Sequence, residues 1–61
     1  MKARALMRYL YARGCPIKQE SPSHLIYWNP QTGRREPVPN VPEIPYLLSR
    51  KICRTLDIPE P

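Results

Sequence analysis

Apolar residues near the start of the chain recur at helical spacing. Ala3, Leu6, Met7 and Leu10 form one stripe, while Lys2, Arg4, Arg8 and Arg13 fall largely outside it. The pattern predicts an amphipathic helix over Ala3–Arg13. Gly14 stands where such a helix turns left-handed and stops, and Pro16 forbids its continuation. The period then shortens. Ile17–Glu20 is expected as a short first strand, with Ile17 its only strong β-former. His24-Leu25-Ile26-Tyr27-Trp28 is a clearer second strand, rich in β-branched and aromatic side chains. Asn29-Pro30-Gln31-Thr32-Gly33 is turn chemistry, in which proline fixes one dihedral and Gly33 is free to take positive φ. Arg34–Val38 then returns as a third strand, giving a hairpin with His24 near its open end.

From Pro37 to Pro45 the prolines make a stiff, extended connector that cannot donate a regular ladder of hydrogen bonds. It is expected to be an ordered spacer. Pro45 is suited to be the first residue of a second helix. Leu48, Ile52 and Leu56 would form that helix's buried stripe, with Leu47 and Cys53 beside it and Arg50, Lys51 and Arg54 on other faces. Residues 57–61 are expected to be a loose tail. The order is α-β-β-β-α in a single domain over residues 1–61. The smallest layered solution is an α+β fold with both helices on one face of a short antiparallel sheet. The other face, carrying alternate hairpin residues, is left open for a ligand.

Composition narrows the possibilities. In 61 residues there is room for one small domain, and at this size folding hides only about 60% of the surface of the open chain. A doubly wound domain, a barrel or a large substrate pocket does not fit. A hydrophobic fraction of 41% is close to globular composition, so the chain is not a disordered basic tail. No apolar run approaches the roughly 18–20 residues of a membrane span, and Arg8 and Arg13 interrupt anything like a signal peptide. Cys15 and Cys53 are too few for a disulfide framework and read as packed free thiols in a reducing cytosol, so the expected location is cytoplasmic. Ten Lys and Arg against five Asp and Glu give a net charge of +5. Such a chain is drawn to polyanions, nucleic acid first or an acidic protein partner.

Most site chemistry is excluded by what is missing. Cys15, His24 and Cys53 are scattered, with no Cys-x-x-Cys pair, which argues against a zinc site. Gly14 and Gly33 stand alone, so there is no phosphate-cradling loop. No Ser or Cys is placed with His24 as a nucleophile triad, and the acids form no convincing pair. What remains is one imidazole among cations. Histidine moves protons near neutral pH, and RNA carries its own nucleophile in the 2′-hydroxyl. An RNA-cleaving site therefore needs only a base for that proton and positive charge for the developing phosphorane. His24 is the candidate base or acid, with Lys18, Arg34 and Arg35 as candidate phosphate contacts; a half-exposed polar histidine at a strand edge is the plain alternative. Tyr27 and Trp28 are candidates to stack on bases, although alternation sends one of them to the core. Tyr27 is also a candidate acid by proximity, with strand packing as its simpler role.

Read in order, the chain resembles the HicA toxins, small mRNA interferases of bacterial and archaeal toxin–antitoxin modules. The match begins with a helix ending in Arg13-Gly14-Cys15. Pro22-Ser23-His24 then stands at the position of a Gly-Ser-His motif. An apolar strand leads to Asn29-Pro30-Gln31-Thr32-Gly33-Arg34, matching an Asn-Pro-x-Thr-Gly-Arg turn. Val38-Pro39 matches a Val-Pro step, and Glu43-Ile44-Pro45 leads into a basic helix with Arg50, Lys51 and Ile52. The resemblance implies a fold similar to a double-stranded-RNA-binding domain. It also implies an endoribonuclease that cleaves mRNA without metal or other cofactor. His24 takes the place of the catalytic histidine, and Lys18, Ser23, Arg34, Arg35, Arg50, Lys51 and Arg54 are the implied RNA-binding set. The implied partners are mRNA and a HicB-like antitoxin that covers the site; DNA is contacted only through the toxin–antitoxin complex, and no membrane is involved. Two positions depart from the pattern: Pro22 replaces the glycine before Ser-His, and Asn40-Val41 stands where many relatives place a second histidine.

Three readings follow. The first is an RNA endonuclease toxin. The second keeps the fold but only binds RNA or an antitoxin, with Pro22 as its signature. The third is a DNA-binding protein using the basic second helix, against which stands the proline-rich connector where a helix-turn-helix partner would be.

Overall fold

A computed structural model describes residues 1–61. The elements are α1 (Ala3–Ala12), β1 (Ile17–Glu20), β2 (His24–Trp28), β3 (Arg35–Pro39) and α2 (Tyr46–Thr55). The three strands form one antiparallel sheet in the order β1-β2-β3. The chain is thus a small α+β domain with the order α-β-β-β-α.

One core joins the layers. Ala3, Leu6 and Leu10 of α1, Tyr27 and Val38 of the sheet, and Ile52 and Cys53 of α2 are all buried, together with Cys15, Ile44 and Leu56 from the connecting segments. Both helices therefore cover the same sheet face. On α2 the buried positions are Ser49, Ile52 and Cys53, followed by Leu56 just beyond its end, while Leu48 is half-buried and packs against the same core from the side. Ser49 fits there because its hydroxyl donates back to the Tyr46 carbonyl at 2.7 Å. Leu47, expected beside the stripe, is turned away from the core and 72% exposed. Pro45 caps α2 in an extended conformation instead of opening its first turn.

Both helices stop the same way. Gly14 has φ +79, its N–H bonds the Tyr11 carbonyl, and Cys15 N–H bonds that of Leu10. After α2, Asp57 takes φ +59, its N–H bonds the Arg54 carbonyl, and Ile58 N–H bonds that of Cys53. These are paired left-handed caps, and a hydrophobic residue packs after each. The last five residues, read from sequence as a loose tail, make specific contacts. Ile58 packs on the core, the Tyr9 hydroxyl donates to the Pro59 carbonyl, and Glu60 lies 2.9 Å from Arg50 Nε.

β3 runs from Arg35 to Pro39, one residue later than Arg34–Val38. Arg34 belongs to the turn, where its N–H is taken by the Thr32 hydroxyl at 3.2 Å. The hydrogen-bonded positions of the hairpin follow from its ends: Asn29 N–H bonds the Arg34 carbonyl and Asn40 N–H bonds that of Ser23. Continuing that alternation, Glu36 and Val38 face their partners Tyr27 and Leu25, and the missing N–H groups of Pro37 and Pro39 fall on the open edge. The connector's prolines thus begin inside the strand, where they also block pairing with a further strand. Beyond it, Met1 and Ile44 exchange both backbone bonds at 2.8 Å, and Ala3 N–H reaches the Pro42 carbonyl. The connector is held against the start of α1.

Candidate nucleic-acid interface

Strand alternation sorts the hairpin side chains by face. Tyr27 points into the core and is 1% exposed; burial pushes its hydroxyl pKa up, with Tyr11 and Glu20 adding to the shift. It is neither an acid for an external substrate nor a stacking platform. His24, Ile26 and Trp28 share the opposite, open face, and across from them on β3 stand Pro39, Pro37 and Arg35. From β1 comes Lys18. The β1–β2 register slips between Ile17 and Gln19, leaving Lys18 unpaired in the bulge. Bulges re-aim side chains, and this one sets the Lys18 ammonium 3.9 Å from the centre of the Trp28 ring.

His24 follows a tight turn built by Ser21. The Ser21 N–H bonds the His24 carbonyl at 2.9 Å, and the Ser21 hydroxyl accepts from His24 N–H and donates to the same carbonyl. Pro22 occupies the first corner of this turn, where its fixed φ is suitable and no N–H is needed. On the exposed imidazole, Nδ1 lies 3.0 Å from the Ser23 hydroxyl. Asn40 closes the turn from β3's end, with its N–H 3.0 Å from the Ser23 carbonyl. Ser23 is therefore the one predicted contact residue that the fold brings directly to His24.

The cations lie elsewhere. His24 is opposite Pro39 and Trp28 is opposite Arg35. Four residues of strand, about 13 Å, therefore separate His24 from the Lys18–Trp28–Arg35 group. Arg34 lies in the turn beyond. The antiparallel register that pairs the two strands is also what places their first residues at opposite ends.

The basic residues of α2 are on the helical layer and already engaged. Lys51 Nζ donates to Glu36 Oε2 at 2.9 Å, and the Glu36 side chain is only 9% exposed. Arg50 Nε lies 2.9 Å from Glu60 as an ion pair without the alignment of a hydrogen bond, and Arg54 is 3.9 Å from the same carboxylate. Lys2 stands 4.0 Å from Glu43. Of the ten Lys and Arg, these four have carboxylate neighbours. The other six are Arg4, Arg8 and Arg13 on or just after α1, and Lys18, Arg34 and Arg35 at the turn end of the open face.

The open face is shallow, and no enclosed cavity indents the molecule. No three His, Cys, Asp or Glu side chains converge as a metal site, and no helix is long and apolar enough to cross a membrane. Cys15 and Cys53 are free and fully buried, and burial raises both thiol pKa values. The pair missed by sequence reasoning is Lys18 with Trp28. Its signal was present in the alternation from His24 to Trp28, but the bulge that aims Lys18 was not. Comparison with protein-family models, curated proteins and solved structures finds no match to this chain.

Proposed function

We propose that this chain is a HicA-type mRNA interferase, a cytoplasmic toxin with a fold like that of a double-stranded-RNA-binding domain. Its chemistry is metal-independent transesterification of RNA. The observation that carries this reading is His24: an exposed imidazole, held through Nδ1 by Ser23, at the rim of an open sheet face that also bears Trp28, Lys18 and Arg35.

When Nδ1–H donates to Ser23, the lone pair of Nε2 is free to take the proton of a 2′-hydroxyl. The 2′-oxygen then attacks the adjacent phosphorus and the 5′-oxygen leaves, taking up a proton. One RNA chain ends in a 2′,3′-cyclic phosphate and the other in a 5′-hydroxyl. Having taken that proton, His24 is an imidazolium with N–H at both nitrogens, so the same ring carries on Nε2 the proton that the departing 5′-oxygen takes up. Lys18, Arg34 and Arg35 hold the strand by its phosphates at a distance from the reacting one. A HicB-like antitoxin is the partner this reading requires, covering the open face, with DNA contacted only by the complex.

A second reading has a specific observation behind it. About 13 Å of strand separates His24 from the unpaired cations of its own face, which suits a domain that binds RNA or an antitoxin without cutting. Incubation of the protein and its His24→Ala variant with a structured RNA in EDTA decides between them. Cleavage lost in the variant supports the first reading. Equal cleavage by both removes His24 from the chemistry, and RNA bound but never cut favours the second.

A further inference from the structure

The Lys18–Trp28 contact has no structural task that explains it. Both side chains stand on the open face, outside the core, and the ammonium is 3.9 Å from the ring centre. No carboxylate lies within ion-pair distance of Lys18, although Glu36 and Glu60 neutralise cations elsewhere. Arg35 is directly across from Trp28, and between Trp28 and His24 the face is floored by Ile26, flanked by Pro37 on β3 and by the uncharged Gln19 on β1.

We propose that Trp28 is a stacking subsite for an unpaired nucleobase, and that Lys18 is its movable cover. An exposed cation–π contact is worth about two- to fivefold in an equilibrium constant, whereas stacking a base on an aromatic side chain is worth about five- to 150-fold. A base therefore displaces the ammonium, which moves to the phosphate beside that base, where Arg35 also reaches. A duplex keeps its base faces stacked internally and cannot use the ring. The ligand class is single-stranded RNA, bound by base stacking at Trp28 and continuing over Ile26 and Pro37 toward His24. Because stacking is indifferent to base edges, the subsite selects for strandedness rather than sequence. The inference rests on the RNA-binding part of the proposed function and adds the form of RNA and the residue that selects it.

Trp28 is the only tryptophan in the chain, so its emission reports this subsite alone. The experiment titrates the protein with a 2′-O-methyl single strand, which cannot be cleaved, with the same strand annealed to its complement, and with an abasic strand of equal length. The single strand is expected to quench Trp28 emission and to bind at least tenfold more tightly than the abasic strand. The duplex is expected to leave the emission unchanged. Trp28→Leu should lose about tenfold in single-strand affinity, with Trp28→Phe recovering most of it. Lys18→Ala keeps the ring and should lower the salt dependence of binding by about 0.7 in log–log slope. Equal binding and quenching by duplex and single strand would overturn the subsite, as would unchanged affinity in Trp28→Leu or binding to none of the probes. The outcomes separate this inference from catalysis. Cleavage of ordinary RNA without quenching by the 2′-O-methyl strand sinks the subsite alone, and quenching by a protein that does not cut sinks only the catalytic reading.

Discussion

The side-chain amide of Asn29 donates to the carbonyl oxygen of Leu56 at 2.8 Å, joining the hairpin turn to the end of α2. The same residue organises the turn itself. Its Oδ1 accepts from Gln31 N–H, its carbonyl accepts from Thr32 and Gly33, and its N–H bonds the Arg34 carbonyl. One buried side chain thus fixes where Trp28, Arg34 and Arg35 stand relative to the helical layer, and it satisfies a helix-end carbonyl that would otherwise be orphaned.

Replacing it should therefore be expensive for a turn residue. Asn29→Ala leaves the Leu56 carbonyl unpaired in a buried setting, a loss of about 2 kcal/mol. For a domain of this size that corresponds to a fall of roughly 10 °C in melting temperature. Asn29→Asp should do no better, because it replaces the donor with a second acceptor. Urea unfolding of both variants checks this; a change below about 0.5 kcal/mol, the range of ordinary surface substitutions, would remove Asn29 from this role.

Glu36 and Lys51 make a coupled pair. The carboxylate is almost buried and the ammonium mostly exposed, so removing the cation strands a desolvated charge. Lys51→Met should cost about 1–3 kcal/mol. The double variant Glu36→Gln, Lys51→Met should recover much of it, since no unpaired charge remains. A double-mutant cycle by chemical denaturation measures the coupling, and simple additivity of the two losses would show that the contact is incidental.

Stability should fall on the alkaline side. Cys15, Cys53 and Tyr27 have pKa values raised by burial in the fold. In the unfolded chain the thiols ionise near their ordinary value of about 8.5 and the phenol near about 10. Between those values and the higher folded ones the native state holds more protons, so the contribution is complete below about pH 8.5 and is lost as pH rises. Melting temperatures measured from pH 7 to 10.5 should decline. The double variant Cys15→Ala, Cys53→Ala should show a flatter decline, whatever the packing loss does to its absolute stability. An unchanged slope would assign the decline to other groups.

How much of this was legible in the sequence depends on the kind of signal. Hydrophobic period and turn chemistry located α1, β2 and the positive-φ glycines, because each depends on residues close in the chain. Leu47 was expected beside the buried stripe of α2, but Ser49 takes a core position there, because a hydroxyl can bury itself by bonding its own helix backbone, which hydropathy does not register. The burial of Glu36 was not legible, because its partner Lys51 comes from a different element. At the candidate site, His24 was identified by elimination, but its distance from Lys18, Arg34 and Arg35 follows from antiparallel register and a bulge. Those are properties of pairing between strands, not of either strand alone.

The most direct measurement of the central claim is the chemistry of the cut ends. RNA incubated with the protein in EDTA should yield a 2′,3′-cyclic phosphate on one product and a 5′-hydroxyl on the other. A single 2′-deoxy substitution at the cleaved nucleotide should abolish that cut. A 3′-hydroxyl with a 5′-phosphate, or cleavage persisting at the deoxy position, would contradict the account, because the nucleophile would then not be the RNA's own.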